Sequence, residues 1–127
     1  MRGVKVLIVD DDPELRAVLR DYLASHGAEI LEGANGLECL WQVKHERPDA
    51  ILLDLNMPRL GGVEALKRIH KFDPTIRVIV LTASIDRAEH EQAMRYGAVD
   101  VYPKPYDLEE LRVALMTPAA RRVTAAG

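Results

Sequence analysis

Short apolar runs alternate with amphipathic stretches along most of the chain. Three runs are nearly continuous and rich in branched aliphatic residues, at positions 4–9, 50–53 and 78–81. Such runs are typical of strands that are buried on both faces of a parallel sheet. Two weaker runs, at 28–31 and 99–102, are predicted as further strands.

The stretches between these runs have the spacing of amphipathic helices. The first carries one apolar stripe, formed by Leu15, Val18, Leu19, Tyr22 and Leu23. Asp12 is placed to cap this helix, Pro13 suits its first position and Gly27 is placed to end it. Four further helices are predicted over 37–45, after Gly61-Gly62, over 87–96, and from a capping box that opens at Asp107.

Five strand-then-helix units predict a single α/β domain. Strands that alternate with helices pair in parallel through right-handed crossovers, which gives a doubly wound, three-layer architecture. We expect the domain to span residues 3–116 of the 127-residue chain. The remaining residues, 117–127, are small and polar and are predicted to be a tail or the start of a linker.

Composition narrows the functional classes. The chain has 17 Lys and Arg residues, 20 Asp and Glu residues and a net charge of −3, which argues against a domain built mainly to bind nucleic acid. No apolar run reaches the length of a membrane span and no leader pattern is present, so a cytoplasmic location is expected. A single cysteine, Cys39, excludes a disulfide framework and is predicted to be a packing residue.

Polar residues gather where the predicted strands end. Asp10, Asp11 and Asp12 follow the first strand, Asp54 the third, Thr82 the fourth and Lys104 the fifth. Ligands of open parallel sheets bind at this carboxyl edge. Clustered carboxylates suit Mg²⁺, and carboxylates, a cation, a hydroxyl and a lysine together suit a phosphoryl group.

Each of these residues also has an ordinary structural interpretation. Asp12 before Pro13 is most simply a helix cap, residues 54–58 have the composition of a turn, and Lys104 alone would be a solvated loop lysine. All of them lie at the same predicted edge of one sheet, and this common position favours a binding site over separate structural roles.

The motifs that carry this pattern are VLIVDDD at 6–12, LLDLNMP at 52–58, VLTA at 80–83 and KP at 104–105. In this order the chain resembles the receiver domain of two-component response regulators over about residues 3–116. The resemblance implies a CheY-like sheet of strand order 2-1-3-4-5 flanked by five helices.

The resemblance also implies a role for each site residue. Asp54 is expected to take a phosphoryl group from a phosphohistidine on a sensor histidine kinase or a phosphotransfer protein. Asp11 and Asp54 are expected to bind Mg²⁺ directly, Asp10 through water, and Asn56 through its backbone carbonyl.

The same resemblance implies a switch. Lys104 is expected to pair with the phosphoryl oxygens, Thr82 to hydrogen-bond them and small Ala83 to leave room for them. A cis peptide at Lys104-Pro105 would aim the lysine. Phosphorylation would then shift the face formed by the fourth helix, fifth strand and fifth helix, which would control an output domain or partner protein.

Several further expectations concern activity and partners. The domain is expected to be no enzyme in its own right, with Mg²⁺-dependent self-phosphorylation and slow autodephosphorylation. No direct nucleic-acid or membrane contact is expected. The fourth helix has only a thin apolar stripe, which suits a moving element.

Three positions depart from the family pattern. Val101 stands where an aromatic residue often precedes the lysine, and the adjacent Tyr102 should face the other side of the sheet. Gly61 replaces an acid before the second glycine, which predicts a more flexible loop. Pro118 should shorten or kink the fifth helix, which disfavours, without excluding, a phosphorylation-dependent homodimer through it.

One alternative stays open, and the residues argue against two others. A pseudo-receiver would keep the fold as a binding module without phosphorylation. A haloacid-dehalogenase-type phosphatase would need an acid at position 56, where Asn56 cannot carry the proton for a leaving group. A flavodoxin-like carrier would need a phosphate loop where three aspartates follow the first strand.

Overall fold

A computed structural model of the chain describes residues 1–57, 59–84 and 86–116. Within these residues it shows a five-stranded sheet in the order β2-β1-β3-β4-β5, in which every neighbouring pair is parallel. The strands are β1 (Lys5–Val9), β2 (Glu29–Gly33), β3 (Ala50–Asp54), β4 (Arg77–Thr82) and β5 (Asp100–Pro103). The predicted fold class and strand order are confirmed.

One helix follows each strand. The helices are α1 (Pro13–Ser25), α2 (Gly36–Glu46), α3 (Gly62–Phe72), α4 (Arg87–Arg95) and α5 (Leu108–Met116). Most predicted boundaries agree with these to within one or two residues. β2 both begins and ends later than the predicted 28–31, because Ala28 still donates its N–H to the α1 carbonyl of Leu23 and the carbonyl of Gly33 accepts from the N–H of Asp10.

The predicted caps of α1 and α5 are present. The carboxylate of Asp12 accepts hydrogen bonds from the backbone N–H groups of Glu14 and Leu15. At the other end of α1, Gly27 has φ of +95°, a left-handed conformation that favours glycine. Asp107 accepts from the N–H of Glu110 at the start of α5.

Two apolar layers cover the two faces of the sheet. One layer packs α2, α3 and α4 against the sheet, and the other packs α1 and α5 against the opposite face. β3 is buried along its whole length, as its continuous apolar run predicted. Val101 joins the first layer and Tyr102 the second, so the two residues face opposite sides of the sheet.

Other expectations have mixed outcomes. Cys39 is fully buried, and burial raises the pKa of its thiol to about 12, as suits a packing residue. Ala93 is the buried residue of α4, so the apolar stripe of this helix is thin. Pro118 and the tail 117–127 lie outside the described residues. Within the described part of the chain, no helix has both the length and the apolar character that a bilayer crossing requires.

The loop between β3 and α3 is packed closely on both sides. A Cβ at Gly36 would lie 2.2 Å from the carbonyl oxygen of Leu60, and one at Gly62 would lie 2.6 Å from that of Asp54. Gly61, between them, has φ of −68° and open space around a Cβ. Its backbone therefore does not require glycine, and greater loop flexibility stays a prediction.

Candidate functional site

Four strand ends bring the predicted site residues to one edge of the sheet. Asp10 directly follows β1, Asp54 ends β3, Thr82 ends β4 and Lys104 directly follows β5. Asp10, Asp54 and Thr82 are only 1%, 3% and 0% exposed. Carboxylates such as those of Asp10 and Asp54 are rarely buried to this extent unless they are paired. The groups that offset their negative charge are therefore central to the site.

Three carboxylates form a compact cluster. One oxygen from each of Asp10, Asp11 and Asp54 lies within 4.8 Å of the others. Asp10 and Asp54 are buried and Asp11 is exposed, so the cluster opens to solvent on one side. Asp12 is engaged as the α1 cap, and the run of three aspartates therefore contributes two side chains to the cluster. A hard divalent cation such as Mg²⁺ prefers oxygen ligands of this kind.

Lys104 compensates the two buried carboxylates. Its Nζ lies 3.0 Å from Asp10 Oδ2 and 3.6 Å from Asp54 Oδ2. Its backbone N–H donates to the carbonyl of Thr82 at 2.8 Å, which fixes the start of this loop against β4. The Lys104-Pro105 peptide is cis, as the resemblance implied. The lysine is thus more closely paired with Asp10 than with Asp54.

Burial controls the protonation of Asp54. It raises the pKa of the Asp54 carboxyl above its ordinary value, because the charged form loses solvation. Lys104 and the backbone N–H of Asn56, which donates to Asp54 Oδ1 at 3.2 Å, oppose this rise. Asp10 and Asp11 reinforce it through charge repulsion. A cation bound to the cluster would favour the ionised form.

The Thr82 hydroxyl is buried beside this cluster. Its Oγ1 accepts a hydrogen bond from the N–H of Ser84 at 3.0 Å. A hydroxyl that accepts in this way keeps its own proton available for donation. Ala83, the next residue, is exposed and carries only a methyl group. A group attached to Asp54 would therefore meet little steric obstruction from position 83.

Arg16 and Glu32 support the cluster and were not predicted. The Arg16 guanidinium donates to the backbone carbonyl of Asp10 and lies 3.1 Å from the Glu32 carboxylate. Glu32 also receives a hydrogen bond from Arg20, at 3.3 Å. The feature of the sequence that could have predicted this pairing is the spacing of Arg16 and Arg20. They lie four residues apart on α1, on the side that faces the end of β2.

Tyr106 is a second unpredicted neighbour. Its hydroxyl is buried and has no hydrogen-bond partner among the described residues. Burial, followed by the charges of Asp10 and Asp54, raises the pKa of this hydroxyl far above its usual value. Tyr106 also lines an apolar groove of about 490 Å³ between α1 and the start of α5. The position of Tyr106 directly after the Lys104-Pro105 motif is the feature of the sequence that could have placed it beside the site.

Comparison with known proteins agrees with this geometry. The family model of the response regulator receiver domain matches residues 6–116. The chain is 38% identical over 115 residues to sporulation initiation phosphotransferase F of Bacillus subtilis, covering 91% of this chain and 93% of that protein. It is also 38% identical over 121 residues to the response regulator MprA of Mycolicibacterium vanbaalenii. That match covers 95% of this chain but 52% of MprA, so the chain spans about half the length of this relative.

Solved structures show the same architecture. The CheX-CheY-BeF3-Mg²⁺ complex of Borrelia burgdorferi contains a chain that is 29% identical, with a TM-score of 0.85. The match covers 91% of this chain and 88% of that one. Together with the family model, which matches most of the sequence, these likenesses settle the family. The chain belongs to the response regulator receiver domains of two-component systems.

Proposed function

We propose that the chain is a phosphoacceptor in a two-component phosphorelay and that Asp54 takes the phosphoryl group. The observation that carries the proposal is the position of Asp54. Its carboxylate is buried at the carboxyl edge of the sheet, 3.6 Å from the Lys104 ammonium and within the carboxylate cluster. A buried nucleophile beside a cation is the arrangement that phosphoryl transfer to a carboxylate requires.

The proposed step transfers the phosphoryl group from a phosphohistidine. An Asp54 oxygen attacks phosphorus, a P–O bond forms and the P–N bond to the donor imidazole breaks. The electron pair of the broken bond stays on the imidazole nitrogen, so a donor ring that carries a proton on its other nitrogen leaves as neutral imidazole. The product is an acyl phosphate on Asp54, so ionisation of Asp54 is a condition for the step.

Asp10, Asp11 and Asp54 would hold Mg²⁺, with the backbone carbonyl of Asn56 as a further protein ligand. Their three carboxylates fit the preference of this ion for oxygen donors. When bound, the ion would neutralise charge on the phosphoryl oxygens. Asp10 already receives hydrogen bonds from Lys104 and from the backbone N–H of Asp12, which suits a ligand that acts through water.

Lys104 and Thr82 would bind the phosphoryl group and so distinguish the phosphorylated from the unphosphorylated state. Lys104 is now closer to Asp10 than to Asp54, so a phosphoryl group on Asp54 would compete for its ammonium. The buried Thr82 hydroxyl, which accepts from the N–H of Ser84, would donate its own proton to the same group. Both changes occur at the ends of β4 and β5 and would shift the α4-β5-α5 face between two conformations.

Partners follow from this chemistry. A relative carries the name of a phosphotransferase, and a CheY structure is a complex with CheX. We propose a sensor histidine kinase or phosphotransfer protein as donor, and an output domain or partner protein as receiver of the signal. In this account the chain works in the cytoplasm and catalyses no reaction other than its own phosphorylation and slow dephosphorylation.

A phosphate-affinity gel tests the proposal. The protein is incubated with acetyl phosphate, with and without Mg²⁺, and wild type is compared with Asp54→Ala. Wild type should shift only with Mg²⁺, and Asp54→Ala should not shift. Asp12→Asn is the matched control, because it removes a neighbouring charge but keeps an oxygen that caps α1. Equal labelling of wild type and Asp54→Ala would overturn the assignment, and no labelling of either would favour the pseudo-receiver.

A further inference from the structure

A groove lies between the C-terminal halves of α2 and α3, away from the carboxylate cluster. It has a volume of about 270 Å³ and is lined by Leu40, Val43, Lys44, Arg68, Lys71 and Phe72. Val43 is buried at its base, and the Phe72 ring is 40% exposed, which is high for a large apolar side chain. The groove therefore combines an apolar floor with three cationic side chains and no carboxylate in its lining.

The cations around this groove are only partly compensated. Lys44 and Lys71 make no ion pair with any described residue. Arg68 pairs with the exposed Glu64 at 3.3 Å, within its own helix. The guanidinium of Arg47 adds a fourth positive charge, 5.1 Å from the centre of the Phe72 ring. In a chain whose net charge is −3, this surface has the opposite sign.

A carboxylate that interacts with Arg47, that of Asp73, is already engaged. Asp73, directly after α3, accepts hydrogen bonds from both the hydroxyl and the backbone N–H of Thr75. These bonds, more than Arg47, lower the pKa of the Asp73 carboxyl. The positive charge at the rim of the groove therefore remains available to a partner.

We propose that this groove docks an acidic segment of a partner protein. One bulky apolar side chain of the segment would enter the groove between Val43 and Phe72, and its carboxylates would face Lys44 and Lys71. The volume suits an anchor side chain, since it lies below the range of pockets for drug-sized ligands. A central apolar anchor with a charged rim is the usual anatomy of a protein interface.

Nucleic acid fits this surface less well than an acidic segment. A nucleic-acid interface needs positive charges that follow a phosphate backbone, and a basic excess for the domain. Here the positive charges surround an apolar floor, and the domain is acidic overall. Charge complementarity alone would admit either polymer, whereas the exposed Phe72 ring and the small groove favour a peptide with an apolar anchor.

The groove is separate from the phosphorylation site. Lys44 lies near the end of α2, shortly before β3 begins at Ala50, and Asp54 lies at the other end of β3. At about 3.3 Å per residue, the two ends of this strand are roughly 13 Å apart. Docking therefore does not depend on the phosphoryl chemistry, and it can be tested on the unphosphorylated protein without Mg²⁺.

Trp41 offers a direct readout. It is the sole tryptophan of the chain and precedes Lys44 by one helical turn on α2. Its ring is 57% exposed and stacks on His45 at 4.1 Å, so its fluorescence should respond to a segment bound beside it. The probe is a short acetylated helical peptide in which glutamates flank a single phenylalanine. Its controls replace the glutamates by glutamines or the phenylalanine by serine.

The full chain should bind the acidic peptide, and binding should weaken as salt is added. Lys44→Glu combined with Lys71→Glu should weaken binding by about tenfold or more, since two attractions become repulsions. Phe72→Ser should also weaken it, and both control peptides should bind less well than the probe. Arg87→Glu on α4 is the matched control variant, and it should bind the probe as wild type does.

Several results would overturn the proposal. These are absence of peptide binding, equal binding by the glutamine peptide, and binding that the double charge reversal leaves unchanged. A single-stranded oligonucleotide that binds more tightly than the peptide, through the same lysines, would replace the partner by nucleic acid. Self-association abolished by the double variant in sedimentation would replace it by a second copy of the chain. Circular dichroism of each variant confirms that the fold is retained.

Discussion

The carboxylate of Asp54 is buried, and burial costs its charged form the free energy of solvation. Burial raises the pKa of the Asp54 carboxyl, and Lys104 offsets the cost only in part, because its ammonium lies closer to Asp10. In the proposed function, a cation bound to the cluster would offset the remaining negative charge. A functional carboxylate of this kind should reduce the stability of the unliganded chain.

Asp54→Asn is therefore expected to stabilise the fold without Mg²⁺. Since the folded chain holds the Asp54 proton more tightly than the unfolded chain, this group favours folding most at low pH. That contribution is lost as pH rises from the usual aspartate pKa through the raised one. The variant should gain about 1 kcal/mol of unfolding free energy at neutral pH, measured by urea denaturation.

Asp12→Asn, at an exposed neighbouring carboxylate, serves as the control and should not reproduce the gain in stability at neutral pH. The gain of Asp54→Asn should shrink as the pH is lowered toward the ordinary aspartate pKa, because the wild-type carboxyl then takes up its proton. A variant less stable than wild type at neutral pH, or an unchanged pH profile, would contradict this account of Asp54.

At the scale of single elements, α3 begins without a side-chain cap. Gly61 occupies its N-cap position with an ordinary backbone conformation, and a Cβ there would meet no atom within 4 Å. The acid that the family usually has before the second glycine is missing at this position. The start of α3 is therefore open to stabilisation by a single substitution.

Gly61→Ser should raise the free energy of unfolding by about 0.5–1 kcal/mol. The serine hydroxyl can accept from the first turn of α3, and the unfolded chain loses freedom. Thermal denaturation measures the change. Gly36→Ser is the contrasting variant, because its Cβ would lie 2.2 Å from a backbone oxygen, and it should destabilise the chain. Equal effects of the two serines would show that the local packing described for this loop is wrong.

Much of the element pattern was predictable because the strands of the sheet centre are buried. β3 and β4 contain continuous apolar runs, and the ends of these runs predicted the boundaries of the two strands. β2 lies at the sheet edge and is only partly buried. Its two apolar residues, Ile30 and Leu31, are flanked by glutamates, so its boundaries were harder to predict. Asp10, Asp54, Thr82 and Lys104 were predictable as a group because parallel strands deliver their ends to one edge. Arg16, Glu32 and Tyr106 were not, because their contacts depend on side-chain directions between elements.

At the scale of the whole molecule, the site joins strands of the sheet centre to strand ends that lie beside the sparsely buried helix α4. β1 and β3 carry the carboxylates from the sheet centre, while Thr82 and Lys104 stand at the ends of β4 and β5 beside α4. α4 buries little more than Ala93, so a small change at its neighbours can alter its packing. Phosphorylation would thereby act on one side of the domain.

Lys104→Ala should separate phosphorylation from this response. The variant should still be labelled at Asp54 by acetyl phosphate, because the nucleophile and the cluster remain. Hydrogen exchange of α4 and β5 should change on phosphorylation of wild type, and at least half of that change should be lost in the variant. An identical change in both proteins would show that Lys104 does not transmit the signal. Lys5→Ala, which removes a lysine on the opposite edge of the sheet, is the control.

The most direct test of phosphoryl transfer to Asp54 is to identify the residue that carries the phosphoryl group. Wild-type protein is phosphorylated with acetyl phosphate and Mg²⁺, the acyl phosphate is reduced with borohydride, and the modified residue is identified by tandem mass spectrometry. The modification should lie at Asp54 and should disappear when Mg²⁺ is chelated. Modification at Asp10, Asp11 or a histidine, or at Asp54 without any need for Mg²⁺, would contradict the proposal.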